Sequence, residues 1–130
     1  MIPLAAALLS AFFATAEVVS TEATRLTQHG DAQLAAGDAA AAVESYREAI
    51  AKDPRLFEAR VNLGAALVEM EDIEGAIEAL EAARKVKPDN PQLLRNLGRA
   101  YMSRERWSDA TDVLAKARAL EPGNDNGTRL

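Results

Sequence analysis

One regular spacing recurs along most of this 130-residue chain and restricts its possible folds more than any other feature. Four sets of identical residues follow it, one of glycine, two of alanine and one of proline, each member 34 positions after the last. They are Gly30, Gly64 and Gly98; Ala42, Ala76 and Ala110; Ala49, Ala83 and Ala117; and Pro54, Pro88 and Pro122. A fixed period of this length is the signature of an architecture in which similar units pack against their neighbours. We therefore expect three copies of one structural unit.

Within each unit the apolar residues follow a helical spacing, in two stretches that a polar turn separates. In the second unit, Leu63, Leu67 and Met70 lie at i, i+4 and i+7, and the same spacing resumes at Ile73 after the turn. Aromatic residues make up only 5% of the chain, and 28 residues are alanine. This composition favours helices and nearly excludes a β-sandwich or barrel. Each unit is therefore predicted to be a hairpin of two antiparallel helices, each roughly 12 to 16 residues long.

Capping residues and glycines add detail to this prediction. Asp38 and Asp72 are predicted N-caps of the second helices, and Asn90 followed by Pro91 is a predicted N-cap with proline at the first helical position. The recurring prolines are expected to end the second helices. A glycine inside a helix costs about 1 kcal/mol relative to alanine. We therefore expect each recurring glycine to face an alanine of the second helix, so that the two backbones approach closely.

These residues resemble the tetratricopeptide repeat, a 34-residue helix-turn-helix unit. Two units carry apolar and small residues at the family's signature positions: Leu63, Gly64, Leu67, Ala76, Leu80, Ala83 and Pro88 in one, and Leu97, Gly98, Tyr101, Ala110, Leu114, Ala117 and Pro122 in the other. The first unit has His29 and Gln33 where the family prefers large apolar residues. The resemblance implies an all-α fold, an α-solenoid of three hairpins in a right-handed superhelical array. Its repeats are predicted at residues 23–56 (degenerate), 57–90 and 91–124.

The two ends of the chain lie outside the repeats. Residues 1–16 carry no charge and are too few to span a bilayer, but they end in the small residues Ala14, Thr15 and Ala16. We predict a cleaved signal peptide, which would make the protein periplasmic or secreted; otherwise it is expected to be cytoplasmic. An uncleaved membrane anchor and a short apolar helix packed on the first repeat are the alternatives. Residues 17–22 are a predicted lead-in, and residues 125–130 a flexible tail.

The residue inventory offers little catalytic or metal-binding chemistry. The chain has no cysteine and one histidine, His29, which we expect at the edge of the core. Trp107 is expected to pack between helices. The net charge of -5 has the wrong sign for a general nucleic-acid binder. We therefore predict a protein that is not an enzyme, that needs no metal or cofactor and that does not bind nucleic acid.

The resemblance implies that the first helices of the hairpins line a groove that binds partner segments. The candidate groove residues are Asn62, Glu69, Gln92, Arg95, Asn96 and Arg99. Asn62 and Asn96 occupy equivalent positions, and a side-chain amide can bond a peptide backbone through both its donor and its acceptor. Arg95 and Arg99 lie one turn apart and could meet one acidic or carboxylate-bearing segment. The alternatives are that the asparagines are solvated or contact other helices, and that the arginines pair with neighbouring acids such as those of the second repeat.

The predicted function is that of a non-catalytic interaction module that binds a peptide or partner segment. The alternative is a self-assembling structural protein that stacks through its uncapped terminal repeat, around the last helix. Some family members clamp a C-terminal carboxylate with Lys, Asn and Arg. Asn62 matches one place of that clamp, but Thr27 and Asp31 stand where the first repeat would supply Lys and Asn. The resemblance therefore does not favour this clamp.

Overall fold

Six helices make up the protein, in a computed structural model that describes residues 4–122; between residues 4 and 16 it describes the side chains of Ala11 and Thr15 only. The helices are α1 (Leu4–Ala35), α2 (Ala39–Lys52), α3 (Phe57–Glu69), α4 (Ile73–Val86), α5 (Pro91–Ser103) and α6 (Trp107–Leu120). No strand occurs in the described part of the chain. The predicted all-α class and the pairs of helices in each repeat are confirmed.

The length of α1 differs from the prediction. It has 32 residues, whereas α2 to α6 have 13 or 14 each. The reason is that the apolar run continues directly into the first repeat helix, with no proline between Leu4 and Ala35. No helix within residues 4–122 is both long and apolar enough to cross a membrane. The signal peptide over residues 1–16 stays a prediction, and the predicted flexible tail lies outside the described residues.

Side-chain caps start three of the helices, as predicted. In each case an acidic or amide oxygen accepts a hydrogen bond from the backbone N–H three residues later, which satisfies a donor that the helix leaves unpaired. The pairs are Asp38 with Ala41 at 3.0 Å, Asp72 with Gly75 at 3.1 Å and Asn90 with Leu93 at 3.0 Å. Pro91 lies in the first turn of α5.

The turn between the helices of each hairpin places one residue in the left-handed region. These residues are Gly37, Glu71 and Glu105, with φ of 86°, 62° and 57°. They occupy equivalent places in the three repeats. In each turn the residue after the left-handed one donates its backbone N–H to the carbonyl of the residue five positions before it, at 2.9 Å: Asp38 to Gln33, Asp72 to Leu67 and Arg106 to Tyr101. Only glycine adopts this conformation without steric cost. The two glutamates therefore hold strained turns.

The recurring glycines make room for large side chains, not for alanines as predicted. A Cβ atom at Gly30 would lie 2.6 Å from Cε1 of Tyr46, and one at Gly98 would lie 2.5 Å from Cγ of Leu114. Gly64 meets Leu80 in the same way. In each hairpin, the large side chain of the second helix, Tyr46, Leu80 or Leu114, packs directly on the Cα atom of the glycine. The alanines of both recurring sets are themselves buried, each with 4% or less of its surface exposed.

The chain divides within α3 into two compact units, an N-terminal unit up to Ala59 and a C-terminal unit from Arg60. In the N-terminal unit α1 packs against α2. Leu26, Ala49 and Ala59 form a buried cluster, which Ile50 and Leu56 cover in part. This unit therefore has an apolar core of its own.

Two polar side chains explain how the first repeat deviates from the family pattern. Gln33 stands where the family prefers a large apolar residue, and its Oε1 atom accepts a hydrogen bond from the Ser45 hydroxyl of α2 at 2.6 Å. The polar side chain of Gln33 therefore has a polar partner. His29 is exposed, and the prediction that it packs at the core edge is wrong. Among the α1 residues from Glu17 onward, the buried ones are Ala23, Leu26, Thr27 and Gly30, which leaves His29 outside this row.

In the C-terminal unit α5 packs against both α4 and α6. Leu93, Leu94 and Leu97 are fully buried. The Tyr101 hydroxyl donates a hydrogen bond to Oε1 of Glu81, and burial together with this bond raises the pKa of Tyr101 to about 12. Arg104 pairs with Glu74 at 2.9 Å. These contacts fix α5 on α4.

Trp107 does not pack between helices as predicted. It is the first residue of α6, and 59% of its surface is exposed. The residues of α6 that face the core are Ala110, Val113 and Ala117. Around the helix axis, Trp107 lies about a quarter of a turn away from the mean direction of these three residues. Its side chain is therefore on a different side of α6.

Candidate functional site

The residues proposed for binding lie mainly on one side of α5. We call this side the α5 stripe; it comprises Gln92, Arg95, Asn96, Arg99 and Met102. All except Asn96 are exposed, and their spacing of three or four residues places them along one side of the helix. The opposite side carries the leucines that face α4 and α6. Packing of α5 from both neighbours therefore fixes the direction in which the stripe faces.

Arg95 is tied to the last helix. Its Nη1 atom lies 2.6 Å from Oε2 of Glu121, the C-cap residue of α6. Both side chains are partly exposed, at 49% and 34%. The alternative of ion pairing therefore holds for Arg95, although its partner belongs to the third repeat and not to the second. An exposed pair of this kind contributes about 0.2–1 kcal/mol to stability.

Arg99 differs from Arg95 although it lies only one turn away. Its side chain is exposed, and it forms no ion pair with any residue in the range 4–122. Ser103 donates a hydrogen bond to its backbone carbonyl at 3.0 Å, which leaves the guanidinium group unaffected. The guanidinium group of Arg99 is thus a positive charge that the described fold does not use.

Asn96 is the buried member of the α5 stripe, with 8% of its surface exposed. Its Nδ2 atom is covered and has no hydrogen-bond acceptor among the described residues. A buried donor left unpaired costs about 1–3 kcal/mol. The fold therefore holds an amide donor at the base of the α5 stripe at an energetic cost.

The two remaining candidates, Asn62 and Glu69, lie on α3. Asn62 is half-buried, and Glu69 is exposed at the last residue of the helix. Asn62 precedes Asn96 by one full repeat, so it takes the same place on α3 that Asn96 takes on α5. Four of the six candidate residues, Gln92, Arg95, Asn96 and Arg99, thus belong to the α5 stripe. The other two lie on α3, the equivalent helix of the preceding repeat.

Glu121 is the site residue that sequence reasoning missed. The residues one repeat before Arg95 and Glu121 are Val61 and Lys87, which cannot form an ion pair. The contact exists only in the third repeat, so a search for recurring residues carries no signal of it. Within residues 4–122 no group of three or more His, Cys, Asp or Glu side chains could hold a metal ion.

Comparison with solved structures identifies similar folds. The protein in the crystal structure of MamA is 26% identical to this chain, with a TM-score of 0.72. The match covers 79% of this chain but only 60% of the length of that protein. The Arabidopsis OM64 TPR domain is 22% identical, with a TM-score of 0.79, and the match covers 82% of this chain and 88% of that domain. The first TPR of Spaghetti (RPAP3), bound to the HSP90 peptide SRMEEVD, is 19% identical, with a TM-score of 0.79 and coverage of 82% and 84%.

The sequence itself matches one family. No curated protein sequence matches the chain. The model of the tetratricopeptide repeat matches residues 33–85 and 67–130, which together cover most of the chain. The helix pairs, the buried alanines and the glycines beneath large side chains agree with this match. The chain belongs to the tetratricopeptide repeat family.

Proposed function

We propose that the protein is a non-catalytic interaction module that binds an acidic segment of a partner protein along the α5 stripe. The observation that carries the proposal is the combination on one helix side of Arg99, which forms no ion pair with the described residues, and Asn96, whose buried amide lacks an acceptor. Membership of a family whose proteins typically mediate interactions supports it. So does the acidic peptide bound to the first TPR of Spaghetti, a protein of similar fold.

Each group on the α5 stripe has a chemical task in this proposal. The Arg99 guanidinium can donate two parallel hydrogen bonds to a carboxylate of the partner. The amide of Asn96 can turn about χ2, which is a soft torsion, and donate to a backbone carbonyl of the bound segment. Gln92 offers a second amide one turn earlier. Asn62 places a further side-chain amide at the equivalent position of α3.

The charges also suggest the polarity of the bound segment. Glu69 on α3 repels an acidic residue, whereas Arg99 on α5 attracts one; the charge of Arg95 is already paired with Glu121. We therefore expect the acidic end of the segment to lie on α5. Because Thr27 and Asp31 replace the clamp residues of the first repeat, we expect side-chain carboxylates, and not a terminal carboxylate, to provide the contact.

Fluorescence anisotropy with labelled heptapeptides tests this proposal. The probes are SRMEEVD, the same peptide with a C-terminal amide, and the same peptide with both Glu replaced by Gln. We expect the first two to bind alike and the Gln version to bind more weakly. Arg99→Ala should weaken binding of the acidic peptide about fivefold, which corresponds to about 1 kcal/mol. It should also flatten the salt dependence.

Arg47→Ala is the matched control, since it removes the same charge from an exposed position on α2 where Arg47 pairs with Glu44 at 3.3 Å. This variant should bind like the wild type. Equal binding of the acidic and Gln peptides would contradict the proposal. Loss of binding on amidation alone would show that a terminal carboxylate is the ligand.

The alternative function is a structural protein that assembles by stacking repeat ends. A head-to-tail stack would place α1 of one copy on α6 of another, in the role that α5 takes on α4. The α1 residues equivalent to Leu93 and Leu97 are Arg25 and His29, both exposed. Burying these two polar side chains against an apolar face is unfavourable. Head-to-tail stacking is therefore the weaker candidate.

The location of the protein is a separate proposal. We propose that residues 1–16 act as a cleaved signal peptide and that the protein works in the periplasm or is secreted. The absence of charge from these residues and the small residues Ala14 and Ala16 support it. Mass spectrometry of the expressed protein should give an N-terminus near Glu17. An intact N-terminus would contradict cleavage.

A further inference from the structure

The outer side of α6 is an exposed, largely apolar groove. It has a volume of about 570 Å³ and is lined by Thr111, Leu114, Ala115, Arg118, Ala119 and Pro122. These residues recur every three or four positions, so they form one side of the helix. Trp107 precedes Thr111 by one turn and extends this side with a ring that is 59% exposed. We call the groove residues and Trp107 together the α6 face.

The preceding repeat shows what kind of element such a face accommodates. The residues one repeat earlier lie on α4, and α5 packs against that helix. Leu80 and its equivalent Leu114 each pack on a glycine of the first helix of their hairpin, but Leu80 is fully buried and Leu114 only half-buried. Glu81, the equivalent of Ala115, accepts the hydrogen bond of Tyr101 from α5. An equivalent face in the same protein is thus covered by a helix. No described helix covers the α6 face.

The α6 face is also less charged than its covered counterpart. Glu81 and Lys85 of α4 are replaced by Ala115 and Ala119 of α6. An exposed terminal helix normally carries charged residues at such positions, because they interact well with water. Two alanines one turn apart instead let another helix approach closely, at interaxial distances of about 8–10 Å. The composition of the face therefore fits helix contact better than permanent exposure.

A second copy of α6 complements the α6 face. Trp107 and Arg118 are separated by about three helical turns and lie in one row along the α6 face, which continues beyond Arg118 to Pro122. When two α6 helices run antiparallel, the Trp107 of each copy lies opposite the Arg118 of the other. A guanidinium group over an indole ring is attracted by its π-system, and this contact would form twice by symmetry. Leu114 and Ala115 of both copies would pack between these two contacts.

We propose that two copies of this chain associate through an antiparallel, two-fold symmetric contact of their α6 faces. This proposal is independent of peptide binding, because the α5 stripe lies on another helix. One helix pair buries less surface than a standard stable interface, so the dimer is weak and depends on protein concentration. The head-to-tail contact considered above would differ, since it would form open chains in place of closed dimers.

Trp107 allows a direct test, because it is the only tryptophan in the sequence. Light scattering at increasing protein concentration should show the mass rising from monomer to dimer and no further. Over the same range the emission of Trp107 should shift to shorter wavelength as its ring leaves water. Both changes should disappear in the double variant Ala115→Glu, Ala119→Lys. These are the residues that α4 carries at the same positions, so the helix should tolerate them.

Two further variants keep the test decisive. Arg118→Glu, made in the protein that keeps Ala115 and Ala119, should weaken the dimer at least fivefold. Val86→Arg alters an exposed apolar residue of α4, and it should leave the dimer unchanged. Circular dichroism of each variant confirms that it is folded.

Three results would overturn the proposal. The first is a monomer at every concentration, with constant emission of Trp107. The second is a dimer that persists in the Ala115→Glu, Ala119→Lys variant, which would place the interface elsewhere. The third is a wild-type monomer that becomes a dimer only when residues 123–130 are removed, which would mean that the chain's own end occupies the face.

Discussion

Arg95 Nη1 lies 2.6 Å from Glu121 Oε2 and so joins α5 to the C-terminal end of α6, while Arg99, one turn further along α5, has no such partner within residues 4–122. Two arginines that look alike in the sequence therefore differ in their structural role. Glu121 also lies at the helix end that carries partial negative charge, where the positive charge of Arg95 compensates for it.

This difference predicts different effects of two single substitutions. Arg95→Ala should lower the free energy of unfolding by about 0.2–1 kcal/mol, because the ion pair between Arg95 and Glu121 is lost. Arg99→Ala should leave it unchanged or raise it slightly, because the like charge beside Arg95 is removed. Denaturant titration of both variants and of Arg95→Ala, Glu121→Ala measures the effect. Equal destabilisation by Arg95→Ala and Arg99→Ala would mean that Arg99 also serves the fold.

A second prediction concerns the glycines beneath large side chains. Gly64→Ala should destabilise the protein by about 1–3 kcal/mol, since the added methyl group overlaps the fully buried Leu80. Gly98→Ala should cost less, because Leu114 is only half-buried and can move outward. Thermal and denaturant unfolding measure both changes. Stabilisation by both substitutions would show that helix propensity, and not this overlap, sets the outcome.

The strained turns give a third prediction. Glu71→Gly and Glu105→Gly should each stabilise the protein by about 0.5–1 kcal/mol, because glycine adopts a positive φ without steric cost. Gly37→Ala is the converse change and should destabilise by about 1 kcal/mol; nothing lies within 4 Å of an added Cβ there, so only the backbone conformation is affected. Denaturant midpoints test all three. A loss of stability in both glutamate variants would show that the side chains make contacts that outweigh the strain.

The fourth prediction follows from the raised pKa of Tyr101. Because this pKa is about 12 in the folded protein and 10.0 ordinarily, the folded state holds the phenolic proton more tightly than the unfolded chain does. The resulting stabilisation is complete below pH 10 and is lost as the pH rises from 10 to 12. Unfolding measured across this range should show a steeper loss for the wild type than for Tyr101→Phe. Parallel curves would mean that the hydroxyl does not contribute.

The sequence predicted those parts of the fold that recur. The repeat period located the hairpins, and Asp38, Asp72 and Asn90 were predicted as caps because capping depends on local sequence. Contacts present in one repeat only were missed. The ion pair of Arg95 with Glu121 has no counterpart at Val61 and Lys87, so no repeated pattern indicated it.

The predictions for single side chains failed where they depended on tertiary packing. The glycines were expected to face alanines, but spacing along a helix does not reveal which residue of the second helix is opposite; the structure shows Tyr46, Leu80 and Leu114. Trp107 was expected to pack between helices because it occupies the position of Ile73 in the preceding repeat. It is exposed because the side of α6 on which it lies has no described neighbour in this chain.

The central claim, that an acidic segment binds along the α5 stripe, is tested most directly by NMR of the isotope-labelled full chain during titration with SRMEEVD. The side-chain amide signals of Asn96 should shift, together with the backbone signals of Arg95 and Arg99, and Arg99→Ala should reduce these shifts at equal peptide concentration. The control peptide with Gln in place of both Glu should cause smaller shifts. Saturating shifts confined to α6 or to the N-terminal unit, with the Asn96 amide unchanged, would contradict the account.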